Sequence, residues 1–502
     1  MRHCSPEQAA RLAHAIGFRT LTVTARDPST DPALPPLLAF WDFLRREFPL
    51  SARHLHWEAI SELALLLTWE PGRGEAAAAR PAPQAPSAPQ APSAPQAPSA
   101  PQAPSAPQAP SAPQAPSAPA ILLYAHADVV PAGDESAWSH GPFSGDIADG
   151  FIWGRGALDD KNALLGGLEA VEGLLAEGFT PARTVYLAFG ADEETDGERG
   201  ARVIAQALAE RGMRLACVFD ESSIISHGSI PFIKKPIAMI GVAEKGFANV
   251  EIIVRGKSGH AAMPGRHTAA GALSAVVAAI ERRPFPLRLT GTVARFFRSL
   301  APHARGPLGL ALRFLRPLWP LLRGVLAADP AVATLFRTTQ AVTILRAGDK
   351  ANVIPGEARA VFNLRTLPGD TAESARLRVD RLSRRHLPSG FTLETGFLAS
   401  TEASDPVPEK PLGRDLWQAV SESIAEIAPD AIVAPFMAIM LSDSRKFAAI
   451  ADAIVRFLPV VLDPGEVARI HGVDERISFE NYGRLIAFCW SVIQKTASRR
   501  DG

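Results

Sequence analysis

Three apolar runs, 121–124, 184–189 and 215–219, constrain this chain more than any other feature. Each is too short for a helix, is rich in branched and aromatic side chains, and stops just short of a histidine or a carboxylate. The stretches between them, 162–177 and 198–211, carry apolar residues at helical spacing. Strand and helix in alternation predict an α/β layered architecture, a sheet with helices on its faces. Sites in such sheets lie at strand ends. There the chain places His126 and Asp128, Glu193 and Glu194, and Asp220.

A second unit is expected from about residue 244. Residues 249–254 alternate, 267–281 read as a helix, 341–345 and 358–364 as strands, and 371–385 as a helix. This β-α-β-β-α-β order predicts a small antiparallel sheet backed by two helices, a ferredoxin-like α+β layer. Within it, 290–338 is an insertion rich in Leu, Arg and Pro, expected to be helical. From 403 to 502 strand and helix resume, and His471 appears. One domain is therefore expected to combine 1–243 with 403–502, the second (244–402) being inserted between them, with hinges near Ala243 and Ser400.

Residues 83–118 are tandem copies of Pro-Gln-Ala-Pro-Ser-Ala. They offer no large apolar side chain to bury and many positions without a backbone N–H, so an extended or disordered tether is expected. Strand-like runs flank it at 64–69 and 121–124. The tether is thus expected to interrupt one domain at a strand connection, where added length costs little stability. A ligand for proline-recognition modules is the sharper reading of the same segment. A chain working through it would be a catalytically dead scaffold.

The chemistry-bearing residues can be weighed one by one. His126 and Asp128, two apart on a strand, face the same way, so the carboxylate can hold one imidazole nitrogen while the other binds a metal. Asp159 and Asp160 sit in a glycine-rich turn before a helix, where an Asp is either an N-cap or a metal bridge. Glu193 and Glu194 diverge, which suits one for a metal and the other for proton transfer. Taken singly, each has a bland reading as a cap or a solvated charge. Together, in one register of one sheet, they predict a centre of N and O donors of the hardness zinc prefers, hence a metallohydrolase.

Composition removes other classes. Lys plus Arg (52) equals Asp plus Glu (52), so no global field favours nucleic acid or an anionic membrane. The three cysteines, Cys4, Cys217 and Cys489, show no Cys-x-x-Cys spacing and suit a reducing compartment. The N-terminal stretch lacks the apolar core of a secretory signal. The hydrophobic stretch 306–328 contains Arg313, Arg316 and Arg323, which argues against a membrane span. A soluble, cytoplasmic chain is expected.

The segments LLYAHADVVPA, WGRGALDDKNA, LAFGADEETDG, VFDES, GKSGHAAMPG, ANVIPG and IHGVDERIS together resemble the aminoacylase/carboxypeptidase S family of dizinc metallopeptidases. Within it, they look most like the carboxypeptidase S and N-fatty-acyl-amino-acid hydrolase members. The resemblance implies a mixed-sheet zinc-peptidase catalytic domain with an inserted lid of the dimerisation type, through which a homodimer could form. It implies two zinc ions per subunit, one held by His126, Asp159 and Asp220, the other by Asp159, Glu194 and His471. Asp159 would bridge them, at a separation of roughly 3.5–4 Å. Glu193 would be the general base and Asp128 the residue orienting His126. His260 would stabilise an oxyanion, and Asn352, Arg365 and Arg445 would recognise the substrate's carbonyl or free carboxylate. Around Arg445 the chain departs from the family's Gly-Thr-Asp-Ser-Arg, having Leu441-Ser442-Asp443-Ser444-Arg445. The implied reaction is hydrolysis of an amide beside a free-carboxylate amino acid, on a short peptide as a carboxypeptidase, or alternatively on an N-acyl amino acid.

Overall fold

The apolar runs pair side by side in a ten-stranded mixed sheet. In the computed structural model, which describes residues 4–25, 27–71, 118–228, 230 and 232–498, Val185–Gly190 pairs parallel with Ala120–His126 and antiparallel with Ala64–Trp69. The strands on either side of the proline repeat therefore share one neighbour, while the repeat itself, at 83–117, lies outside the described residues. Ala120–His126 also pairs parallel with Leu215–Asp220, and Ile454–Arg456 follows, again parallel. Parallel strands end on one rim, which brings His126, Glu193, Glu194, Asp220 and Glu221 to the same edge.

Every residue of Ala120–His126 and of Val185–Gly190 is buried, which is why both read as continuous apolar runs rather than alternating ones. Ile121 and Leu123 face Lys161–Ala176 and Phe479–Ala497 on one side of the sheet. Leu122 and Tyr124 face Ala201–Glu210 on the other. The two long helices on the first face approach closely at Gly166 and Gly173, where a Cβ would run into Leu485 and Trp490.

Thr339–Ala347, Glu357–Thr366, Gly246–Arg255 and Thr392–Phe397 form, in that order, a fully antiparallel four-stranded sheet. Ala269–Glu281 and Ala372–His386 pack on one of its faces through Leu273, Val276, Ile280 and Val379. An α/β assembly carrying an α+β layer is thus what forms. The chain crosses between the sheets almost without a loop, because Ile237–Glu244 runs through Lys245 into Gly246–Arg255. Lys245 is buried and donates from Nζ to the carbonyls of Thr334 (2.9 Å) and Arg337 (2.8 Å).

The insertion is helical, with Gly291–Leu300, Pro307–Arg313 and Leu315–Leu326 as its main elements. Although 290–338 falls within the second unit by sequence, its apolar faces lie on the large sheet. Val293, Phe296, Phe297 and Leu300, one stripe at helical spacing, share a core with Ile237, Ile432, Ala434 and Met437. Among the described residues no helix is long and apolar enough to cross a membrane.

Candidate metal centre

Strand ends and two turns build the site. His126 is the last residue of its strand and is buried. Its Nε2 lies 2.9 Å from Asp159 Oδ1 and 3.6 Å from Glu221 Oε1, and its Nδ1 lies 3.3 Å from Asp128 Oδ1. Asp128 is fixed in turn: Thr22 Oγ1 donates to it at 2.8 Å, and the amides of Glu193 and Glu194 donate at 3.2 and 3.3 Å. Asp192 closes the turn that carries these glutamates, accepting from Arg199 N at 2.6 Å. On the far side, His471 Nε2 lies 2.9 Å from Asp159 Oδ2 and 3.1 Å from Glu194 Oε1. Asp159 therefore stands between the two imidazoles, one oxygen toward each.

A buried clamp presents Asp159. Glu475 accepts backbone N–H groups from Gly156 (3.0 Å), Leu158 (2.8 Å) and Asp159 (3.3 Å), and pairs with Arg155 at 2.5 Å. Arg155 also donates to the carbonyl of His471 at 3.2 Å, so one ion pair ties together the turns bearing Asp159 and His471.

Donor atoms of His126, Glu193 and Glu221 lie within 4.8 Å of one another, as do those of His126, Asp159 and Glu194. Among the described residues, no Lys or Arg forms an ion pair with Asp159, Glu193, Glu194 or Glu221. Burial pushes Glu193 well above the ordinary carboxyl range; His126 opposes this, and the charges of Asp443, Glu221 and Glu194 add to it. Glu221 is pushed up to about 8, by burial first and then by Asp159. Burial would also raise Asp159, but His126 and His471 hold it below its usual range. His471 is raised to about 10 by Asp159 and Glu194. Crowded acids around two imidazoles, all competing for positive charge, form a donor set suited to divalent cations.

The structure brings His126, Asp128, Asp159, Glu193, Glu194 and His471 together. Asp220 is turned elsewhere: it accepts from Ser444 N at 2.7 Å and from Glu221 N at 2.9 Å. Its neighbour Glu221, the second acid of the VFDES segment, faces His126 instead. Arg445 donates to the carbonyls of Asp196 (3.2 Å) and Ser442 (3.4 Å) on the same rim. Arg365 stacks over Phe247 at 4.8 Å, and burial lowers it from its ordinary range. His260 and Asn352 belong to a two-stranded ribbon, Gly259–His260 with Val353–Ile354, where Asn352 O accepts from Ala261 N at 3.0 Å. His260 is exposed, and its Nδ1 accepts from Ala262 N at 3.1 Å.

Fold and donor set together define a metallohydrolase. Residues 122–495 match the model of the peptidase family M20/M25/M40, and the chain belongs to that family. It is 32% identical over 496 residues to a probable carboxypeptidase S-like 2 of Dictyostelium discoideum, spanning 98% of this chain and 85% of that protein. It is 37% identical over 392 residues to the human N-fatty-acyl-amino acid synthase/hydrolase PM20D1, spanning 76% and 74%. Among solved structures, an M20 family metallo-carboxypeptidase, Sso-CP2 from Sulfolobus solfataricus, shares the fold with a TM-score of 0.62 at 14% identity, covering 98% of this chain and 99% of that one.

Proposed function

We propose that this chain is a dizinc hydrolase that cleaves the amide bond next to a free-carboxylate amino acid, acting as a carboxypeptidase on short peptides. The observation that carries the reading is the placement of Asp159 between His126 and His471, with Glu194 and Glu221 closing the two sides. His126, Asp159 and Glu221 would hold one ion, and Asp159, Glu194 and His471 the other, Glu221 taking the place expected of Asp220. Zinc held there would polarise the scissile carbonyl and lower the pKa of water.

The chain's own residues do the rest. Glu193 takes a proton from the attacking water and passes it to the departing amine, so that water is added across the amide. Asp128, pinned by Thr22, keeps the His126 ring in orientation. His260, carried by the 244–402 lid, meets the charge that develops on oxygen. Asn352, Arg365 and Arg445 recognise the carbonyl and the α-carboxylate, for which an arginine fork is well shaped. Ile344 (38% exposed) and Leu345 (56%) on the edge strand Thr339–Ala347 support a homodimer through the lid. Three free cysteines suit a cytoplasmic setting.

Similarity to the N-fatty-acyl-amino acid hydrolases favours a second substrate class, N-acyl amino acids, which present the same amide and carboxylate. Comparing blocked dipeptides with long-chain N-acyl amino acids, each with the wild type and with Glu193→Gln, tests both. The variant should retain its metal and lose roughly a hundred- to ten-thousand-fold in kcat on the preferred substrate. Undiminished turnover would remove Glu193 from the reaction.

A further inference from the structure

The helical insertion carries an apolar surface that its own packing leaves bare. On helix Leu315–Leu326, a row made of Leu315, Trp319, Leu322 and Leu326 turns inward, and Trp319 packs against Phe336 with ring centroids 4.9 Å apart. A second row, Phe314, Leu318, Leu321 and Val325, repeats the same spacing one position earlier. It faces out, with Phe314 50%, Leu321 77% and Val325 74% exposed, and Leu310 on the preceding helix is 62% exposed. Neighbouring positions differ by about 100° around a helix, so the rows adjoin as one apolar arc of which only half is covered. Arg316 and Arg323 lie across the helix from the bare half.

Charge distinguishes the possible occupants of that surface. Residues 282–328 contain nine arginines and no aspartate or glutamate, in a chain whose overall charge is balanced. Arg305, Arg313, Arg316 and Arg323 are exposed, and among the described residues none of them forms an ion pair. Carboxylates that do reach the insertion are already engaged: Glu409 with Arg295 and Thr292, Asp370 with Arg288 and Thr338. Arg295 is held below its ordinary range by burial and by Arg316 and Arg298, a sign of how closely the guanidinium groups crowd. A second copy docking here by two-fold symmetry would bring a second set of these unpaired arginines close to the first. Helices of seven and twelve residues are too short to span a bilayer, yet they can lie in its interface.

We propose that Pro307–Arg313 and Leu315–Leu326 dock the chain, in plane, on an anionic lipid bilayer. Leu310, Phe314, Leu321 and Val325 enter the acyl layer while the unpaired arginines, on the polar side of the helices, draw the chain to the anionic surface. This proposal stands apart from the hydrolase reading and needs no activity to be tested. The experiment is flotation of the full chain with vesicles of phosphatidylcholine alone and of equal parts phosphatidylcholine and phosphatidylglycerol. The chain should float with the mixed vesicles and not with the neutral ones, and added salt should weaken the binding. L321E/V325E, at exposed positions, should keep the wild-type melting temperature and lose roughly tenfold or more in binding. R316E/R323E, which removes no apolar surface, should lose binding comparably, and it decides the matter if the first variant does not fold. Absence of flotation with anionic vesicles, or equal flotation of R316E/R323E and wild type, would overturn the proposal. So would a solution dimer that L321E/V325E converts to a monomer, since the face would then join copies of the chain.

Discussion

Adjacent carboxylates at a strand end are not equivalent. Register places Leu122 opposite Val218, so Asp220 shares the face of Leu122, Tyr124 and Val218, and there it meets the turn of Ser444. Glu221, one position on, points toward His126. Glu221→Ala should therefore lower bound metal by about one ion per chain, because it removes a donor at the centre. Asp220→Ala should keep the metal and cost roughly 1–3 kcal/mol of stability, through the unsatisfied amide of Ser444. Metal analysis beside thermal melts separates these outcomes; metal lost equally in both variants would contradict the assignment. The strand-end pattern singles out His126, Glu193, Glu194 and Asp220, the glycine-rich turn Asp159, and the family resemblance His471; all but Asp220 stand within reach of one another. Which of two neighbouring acids reaches His126 is decided just past the strand, which ends at Asp220 before the chain turns with Ser222 at φ +102°, a property of that turn rather than of any motif. Thr22, which fixes Asp128, belongs to no motif at all.

At the scale of elements, periodicity locates most helices and strands to within a few residues. The runs at 184–189 and 371–385, for instance, become Val185–Gly190 and Ala372–His386. What periodicity lacks is partner choice. The stripe on Gly291–Leu300 is visible in sequence, yet its partners Ile432 and Met437 lie more than a hundred residues on. The Arg155–Glu475 clamp is equally non-local, and it links two turns that must keep a fixed separation. Glu475→Ala would leave a buried guanidinium without a counter-charge and free three amides, so it should cost roughly 3–5 kcal/mol. Denaturant titration with metal analysis checks this, and stability within error of the wild type would mean that the clamp carries no load.

Across the whole molecule, the short connection at Lys245 decides how the two sheets are joined. Burial pushes this amine down to about 7 from an ordinary 10.5, and burial brings Lys161 to about 7 as well. Between those limits the unfolded chain holds protons on these two amines that the folded chain has released, so their contribution to unfolding free energy should rise as pH increases from about 7 toward 10, while His471 contributes in the opposite sense. Lys245→Met should roughly halve that rise, a change that equilibrium unfolding at several pH values would detect. An unchanged slope would show that the amine stays charged at the junction. The residues proposed for substrate recognition are divided in the same way: Arg445 stands beside the donor cluster on the rim of the large sheet, while His260 and Asn352 stand at the ribbon of the smaller unit. The β-α-β-β-α-β order announces the smaller four-stranded sheet, which forms apart from the large one.

Metal stoichiometry of the purified chain tests the central claim most directly. Elemental analysis should find two divalent ions per chain, with hydrolysis abolished by a chelator and restored by zinc. A chain that binds none, and turns over its substrate undiminished in chelator, would contradict the account.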